Sequence, residues 1–335
     1  VSADVVLPDF ATLSRDVRVV RIPLRVRFRG ITEREALLVR GPAGWGEFAP
    51  FTEYADVEAA RWLAAAIEAA WLGWPEPVRS LVPVNATIPA VPAAQVGTIL
   101  ARYDGCGTVK VKVAERGQAR MDDIDRVAAV RQEWPHARIR VDANGGWDVE
   151  QARAALSALA RYDLEYAEQP CERVEDLAEL RRALAREGIE VPIAADESIR
   201  KAEDPLRVRD LEAADIIVVK VAPLSGVRRA CQVVQEVGLP AVVSSALDTS
   251  VGIRAGVALA AALPQLEHAC GLGTVRLLDG DVTEASLVPA DGGIAVQEPP
   301  PVSEELLQQF AAPAEREQWW RERLRRCHAI LVDQG

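Results

Sequence analysis

From Leu81 to Thr274 the chain alternates between short β-branched runs and alanine-rich amphipathic stretches, a rhythm that few architectures accommodate. The runs Val82–Thr87, Thr108–Val113, Arg138–Asp142, Leu164–Glu168, Pro192–Asp196, Asp215–Val221, Pro240–Ser244 and Leu266–Cys270 read as strands, eight in all. Between them apolar residues recur three and four apart, as in Ala119–Glu133, Val149–Ala160, Val174–Ala185, Gly226–Val237 and Val251–Ala262, which predicts helices. Eight strand–helix units closing on themselves make an α/β fold, a parallel (β/α)8-type barrel, although other α/β folds share much of the pattern.

The rhythm is absent at both ends. Arg15–Arg29 and Glu35–Arg40 alternate like antiparallel strands, Gly41–Gly46 marks a turn, and Asp56–Leu72 has helical spacing. Residues 1–80 therefore read as an α+β capping domain and 81–278 as the barrel. In residues 279–335, short strands around Ala285–Val296, a break at Pro299-Pro300-Pro301 and a charged helix near Glu315–Arg326 are expected to pack back on the capping domain, with Trp319 and Trp320 as anchors.

A formal charge of -11 argues against a nucleic-acid partner, which needs a basic surface. The longest apolar stretch, Ala241 to Leu263, is broken by Asp248 and Arg254, so no membrane span is expected, and no basic, then apolar leader precedes the first strand. Five cysteines, singly scattered, read as small buried hydrophobes in a reducing, cytoplasmic setting. The three histidines are too dispersed for a zinc cage, and His268 reads as a satisfied core imidazole. Oligomeric state is left open.

Lysine is the rare residue. Four lysines stand among 39 basic residues, and Lys110, Lys112 and Lys220 lie inside apolar strands. A desolvated lysine can release its proton where arginine cannot, so these three read as catalytic. Alternation puts Lys110 and Lys112 on one face, about 7 Å apart along the strand. Three later strands end on carboxylates, Asp142, Glu168 and Asp196, one strand–helix unit apart, and Lys220 closes the next strand. Because the carboxyl ends of barrel strands share one rim, these groups converge there. A lone strand-end Asp is usually a cap, but three in succession flanked by lysines carry a burial cost that structure alone does not explain. Three oxygen donors without imidazole or thiolate suit a hard divalent cation, Mg²⁺ first and Mn²⁺ next. A lysine with its pKa lowered by a second lysine and the cation can act as the base.

With KxK at Lys110–Lys112, DAN at 142–144, EQP at 168–170, DES at 196–198 and a lone strand-end Lys220, the chain resembles the enolase superfamily from Gly44-Trp45-Gly46-Glu47 to Gly271-Leu272-Gly273-Thr274. DANGGW, VVKVAPLSG and SSALDTSVG resemble its muconate lactonising subgroup. The resemblance implies a capping domain on a modified barrel and Asp142, Glu168 and Asp196 as metal ligands. Lys112 would be the base, with Lys110 supporting it; Lys220 would stand on the opposite face of a small-molecule carboxylate substrate, with Glu197 as its partner. It further implies dehydration of 2-succinyl-6-hydroxy-2,4-cyclohexadiene-1-carboxylate in menaquinone biosynthesis.

Substrate contacts are expected from Asn144, Ser244, Ser245, Gly271 and Gly273, although turn and cap chemistry accounts for the same residue types. Arg140 shares the Asp142 face and reads as a second contact near the acids. Loops Phe28–Arg34 and Phe48–Glu53 are expected to close over the site. The same residues would serve an N-acylamino acid racemase or dipeptide epimerase, with Lys112 and Lys220 as paired bases. A non-catalytic binding barrel would instead lack the metal site.

Overall fold

A computed structural model describes residues 7–28, 30–200, 205–298 and 301–334. The N-terminal alternation forms an antiparallel sheet of β1 (Val17–Phe28), β2 (Ile31–Gly41) and β3 (Gly44–Phe48), in that order. The β1–β2 register runs from Val17↔Val39 to Pro23↔Glu33 and resumes at Phe28↔Ile31. The shift follows Pro23, which offers no ladder donor. Helix Asp56–Ile67 lies directly on this sheet and continues as one wide turn, Glu68–Leu72. Two glycines permit the close approach, since a Cβ on Gly41 or Gly46 would lie 2.3 Å from the Ala70 carbonyl oxygen or 2.0 Å from that of Ala66. Phe48, Trp62, Trp320 and Leu324 form the core of this layer, the last two from helix Ala314–Gln334. Trp320 donates to Glu35 at 2.9 Å, and Arg323 donates to the Phe51 and Tyr54 carbonyls. That helix is longer than the predicted Glu315–Arg326.

The first predicted barrel strand divides in two. β4 (Leu81–Pro83) pairs antiparallel with β12 (Gly293–Ala295), and only β5 (Ala86–Ile88) joins the barrel. β12 is also the only strand in the predicted Ala285–Val296 region among the described residues, and Pro299 and Pro300 of the expected proline break lie outside them. β6 (Thr108–Lys112), β7 (Arg138–Asp142), β8 (Leu164–Glu168), β9 (Ile193–Ala195), β10 (Ile216–Val219) and β11 (Ala241–Val243) follow in parallel, so the sheet has seven strands. The eighth run, Leu266–Cys270, is not a strand. Cys270 bridges Val84 and Gly271 bridges Ser244, with Cys270 N donating to Pro83 O at 2.7 Å and Gly271 N to Val243 O at 2.8 Å. Two residues thus join the sheet's two edges, and the carbonyl just before them, that of Ala269, is taken by the Arg140 side chain instead of a neighbouring strand.

Helices Arg120–Glu133, Val149–Leu159, Val174–Arg186, Val227–Val237 and Ser250–Ala262 cover the outside. Two capping-segment carboxylates enter this layer. Glu68 accepts from the backbone of Val227 and Arg228, and Glu47 from that of Thr249 and Gly252, each at the first turn of a barrel helix where N–H groups lack partners. No described helix is long and apolar enough to cross a membrane.

Candidate active site

Register sets the site. Lys112 lies opposite Asp142 and Asp142 opposite Glu168, so β6, β7 and β8 end their lumen faces at one level. β6 and β10 stand on opposite sides of the ring, which brings Lys220, immediately after β10, across from Lys112. Lys112 Nζ lies 2.5 Å from Asp142 Oδ2 and 2.7 Å from Asn144 Oδ1. Lys110 Nζ contacts both Glu168 oxygens, at 3.0 and 3.1 Å, and Asp142 Oδ2 at 3.3 Å. Lys220 donates to Asp196. Glu197 does not meet Lys220 as expected: it accepts from Arg200 and, at 3.4 Å, from Asn144, because the short helix Glu197–Arg200 puts Arg200 beside it.

These charges are buried. Burial lowers the Lys112 pKa and the neighbouring Lys110 charge lowers it further, against the pull of Asp142. Burial acts the same way on Lys110, but Glu168 and Asp142 outweigh it and hold its ammonium firmly protonated. Burial would raise the Asp142 carboxyl; Lys112 and Lys110 keep it well below the usual range. Glu168 is pushed up, by burial and then by repulsion from Asp142.

The turns after the strands are tightly set. Asn144 and Gln169 have φ of 47° and 40°, left-handed backbone that non-glycine residues adopt rarely. Buried Gln169 accepts from Asp196 N at 2.9 Å and donates to Ser198 Oγ at 2.8 Å, fastening the end of β9 to that of β8. Arg126 donates to the Lys112 carbonyl at 2.7 Å and steadies the end of β6. Neither residue was assigned a role from sequence; the EQP motif contained the signal for Gln169.

Lys110, Lys112, Asp142, Asn144, Lys220, Ser244, Ser245 and Gly271 line one cavity of about 30 Å³. Phe28 and Phe51 close it from the two expected capping loops, with Lys112 Nζ 5.4 Å from the Phe28 ring centre; Arg29 of the first loop lies outside the described residues. Ser245 Oγ is already engaged by the Gly271 carbonyl at 2.7 Å and by Thr274 at 2.8 Å. Two expected contacts are not in this cavity. Arg140, fully buried one strand repeat below Asp142, donates to Glu165 at 2.6 Å and to the Ala269 carbonyl at 2.7 Å. It has that partner because Glu165 is the extra residue of a bulge between Leu164 and Tyr166. Gly273 lies against Tyr103 and the Asn85 carbonyl, where a Cβ would come within 3.0 and 3.2 Å. His268 pairs with Glu165 at 2.9 Å.

Among the described residues no three His, Cys, Asp or Glu side chains form a finished metal cage, since each strand-end carboxylate is drawn onto an ammonium group. The donor chemistry nonetheless fits a hard divalent cation. Asp142, Glu168 and Asp196 are nearly inaccessible, and both aspartates repel the Glu168 carboxylate, so the three share one electrostatic neighbourhood. Glu197 adds a buried oxygen, Oε2, without a hydrogen-bond partner among the described residues.

Residues 94–307 match the family model described as enolase C-terminal domain-like, and residues 19–70 the one described as enolase N-terminal domain-like. The chain belongs to the enolase superfamily, whose members are generally dependent on a divalent metal. Among its relatives is an o-succinylbenzoate synthase of Thermobifida fusca, 59% identical over 84% of this chain and 87% of the relative. One of Mycobacterium tuberculosis is 55% identical over 98% of both chains. Muconate lactonizing enzyme from Pseudomonas putida shares the fold, with a TM-score of 0.73 at 21% identity over 89% of this chain and 98% of that one.

Proposed function

We propose that this chain is an o-succinylbenzoate synthase, a lyase that dehydrates 2-succinyl-6-hydroxy-2,4-cyclohexadiene-1-carboxylate in menaquinone biosynthesis. The observation that carries the reading is that Lys112 and Lys220, from opposite sides of the barrel, line one cavity with Asp142. Near-full-length identity to synthases of that name selects this reaction within the family.

Asp142, Glu168 and Asp196 would hold Mg²⁺, or Mn²⁺ in its place, which when bound supplies Lewis-acid stabilisation of the charge that builds on the substrate carboxylate. Lys112 takes the C1 proton, the role its lowered pKa suits. The C1–H electron pair is first delocalised into the carboxylate as an enediolate; it then becomes the C1=C6 double bond as the C6–O bond breaks, and Lys112 returns its proton to the departing hydroxide, releasing water and an aromatic ring. Lys220 stays cationic on the other face and stabilises the anion. Lys110 keeps Glu168 paired and lends its charge against the Lys112 ammonium. Asn144 orients Lys112, while the Ser244 hydroxyl lies where a substrate carboxylate would find a donor; the Gly271 N–H is already given to the Val243 carbonyl and shapes the cavity wall only. The partner is a small-molecule carboxylate, and five unpaired cysteines suit the cytoplasm.

Incubating the enzyme with the cyclohexadiene, and separately with an N-acylamino acid in deuterated water, tests the reading. Aromatic product from the first is the expected result; deuterium exchange with inversion in the second and no turnover of the first would make it a racemase.

A further inference from the structure

The two lysines are joined by a side-chain path, buried at Asp196 and Arg200 and half-buried at Glu197 and Asn144, that meets at Arg200. Its Nε lies 3.3 Å from Asp196 Oδ1, while the other oxygen of Asp196 receives Lys220. Its Nη2 donates to Glu197 Oε1 at 2.5 Å. That same oxygen accepts from Asn144 Nδ2 at 3.4 Å, and Asn144 Oδ1 accepts from Lys112 at 2.7 Å. The third nitrogen, Nη1, donates to the hydroxyl of Tyr54 at 3.1 Å, in the capping domain 146 residues away. Arg200 is 2% exposed, and Tyr54 is buried among Phe51 and Trp62, with Phe51 lining the site cavity.

We infer that Arg200 is a positioning residue: its three-pronged guanidinium sets Asp196 and Glu197, through them the separation of Lys220 and Lys112, and couples that separation to the seating of the capping loop through Tyr54. The planar fork is what the geometry demands. Three acceptors in three directions are reached at once by Nε, Nη1 and Nη2, whereas a lysine at this position would bring the same charge to one of them. The coupling explains why the loop that closes the cavity and the groups inside it are held by one side chain. Displacing a reacting group by about 1 Å costs on the order of 10²-fold in rate, and removing a side chain that orients a metal ligand costs about 10- to 100-fold in metal affinity or activity.

The inference rests on the dehydratase reading for its effect on turnover, so the test has a second arm. Steady-state turnover of the cyclohexadiene and calorimetric titration with Mg²⁺ alone are measured for wild type, Arg200→Lys, Tyr54→Phe and the double variant. Arg200→Lys is expected to lower kcat about 10- to 100-fold with KM within about threefold, and to weaken Mg²⁺ binding about tenfold. Tyr54→Phe, which removes one oxygen and leaves the packing, is expected to lower kcat about three- to tenfold, with the double variant no worse than Arg200→Lys alone. Unchanged kcat and unchanged Mg²⁺ affinity in Arg200→Lys overturn the inference, as do losses that simply multiply in the double variant. If wild type does not turn over the cyclohexadiene, the functional reading fails separately, and the Mg²⁺ arm still decides on Arg200: weakened affinity supports it and unchanged affinity overturns it.

Discussion

Lys112 and Asp142 end neighbouring parallel strands at the same register level, with Nζ of one 2.5 Å from Oδ2 of the other. Asp142 is almost inaccessible to solvent and also receives Lys110 at 3.3 Å, so one carboxylate faces two ammonium groups in the lumen. Removing one member of a buried pair leaves an uncompensated charge and costs about 3–5 kcal/mol. Asp142→Ala is therefore expected to lose about that much stability with a chelator present, measured by urea unfolding. Asp279→Ala, which breaks the exposed pair with Arg25 at 3.0 Å, is expected to change stability by less than about 1 kcal/mol. Equal effects from the two variants would contradict this view of the lumen.

Glu68 ties the capping segment to the barrel by accepting from the backbone of Val227 and Arg228 and from the Arg228 guanidinium at 2.9 Å. Glu68→Ala leaves the buried Val227 N–H and the half-buried Arg228 N–H unmet, at a cost of about 1–3 kcal/mol, while the Arg228 guanidinium keeps the Gly73 carbonyl. Denaturant unfolding measures it; a change under about 0.5 kcal/mol would show that the cap contributes little.

Glu165 gives the fold an acid-sensitive element. Burial would raise its carboxyl, but His268 and Arg140 outweigh that and hold it at about 2, against an ordinary 4.5. A depressed carboxyl contributes stability that is present above 4.5 and is lost as pH falls toward 2. The stability difference between wild type and Glu165→Gln should therefore be widest near pH 6 and shrink steadily below pH 4.5. A difference that does not change with pH would contradict the assignment.

A cation bound by the native fold alone raises stability by about 2.7 kcal/mol at a hundredfold excess over Kd. Mg²⁺ should accordingly raise the melting temperature of wild type and leave that of Glu168→Gln nearly unchanged. An equal rise in both would remove Glu168 from the metal site.

Much of the site was legible because strand-end spacing and period-two alternation fix which side chains reach a barrel rim. Lys112, Asp142, Glu168, Asp196 and Lys220 needed nothing else. Alternation reports a face and not a depth, which is why Arg140 was read as a neighbour of the acids when it lies a strand repeat below them, beside a carboxylate that a bulge turns inward and no periodicity reveals. The eighth strand failed for a related reason: closure needs only the hydrogen bonds of Cys270 and Gly271, too few residues to leave a pattern. Arg200 was invisible because a four-residue helix has no amphipathic period and its Tyr54 partner belongs to the other end of the chain.

The most direct test of the whole account is ultraviolet detection of o-succinylbenzoate formed from the cyclohexadiene by wild type and by Lys112→Ala, each with Mg²⁺ present. General base catalysis contributes about 10²- to 10⁴-fold, so the variant should lose at least about a hundredfold in kcat while keeping its fold by circular dichroism. A folded Lys112→Ala within a few fold of wild type would contradict the account.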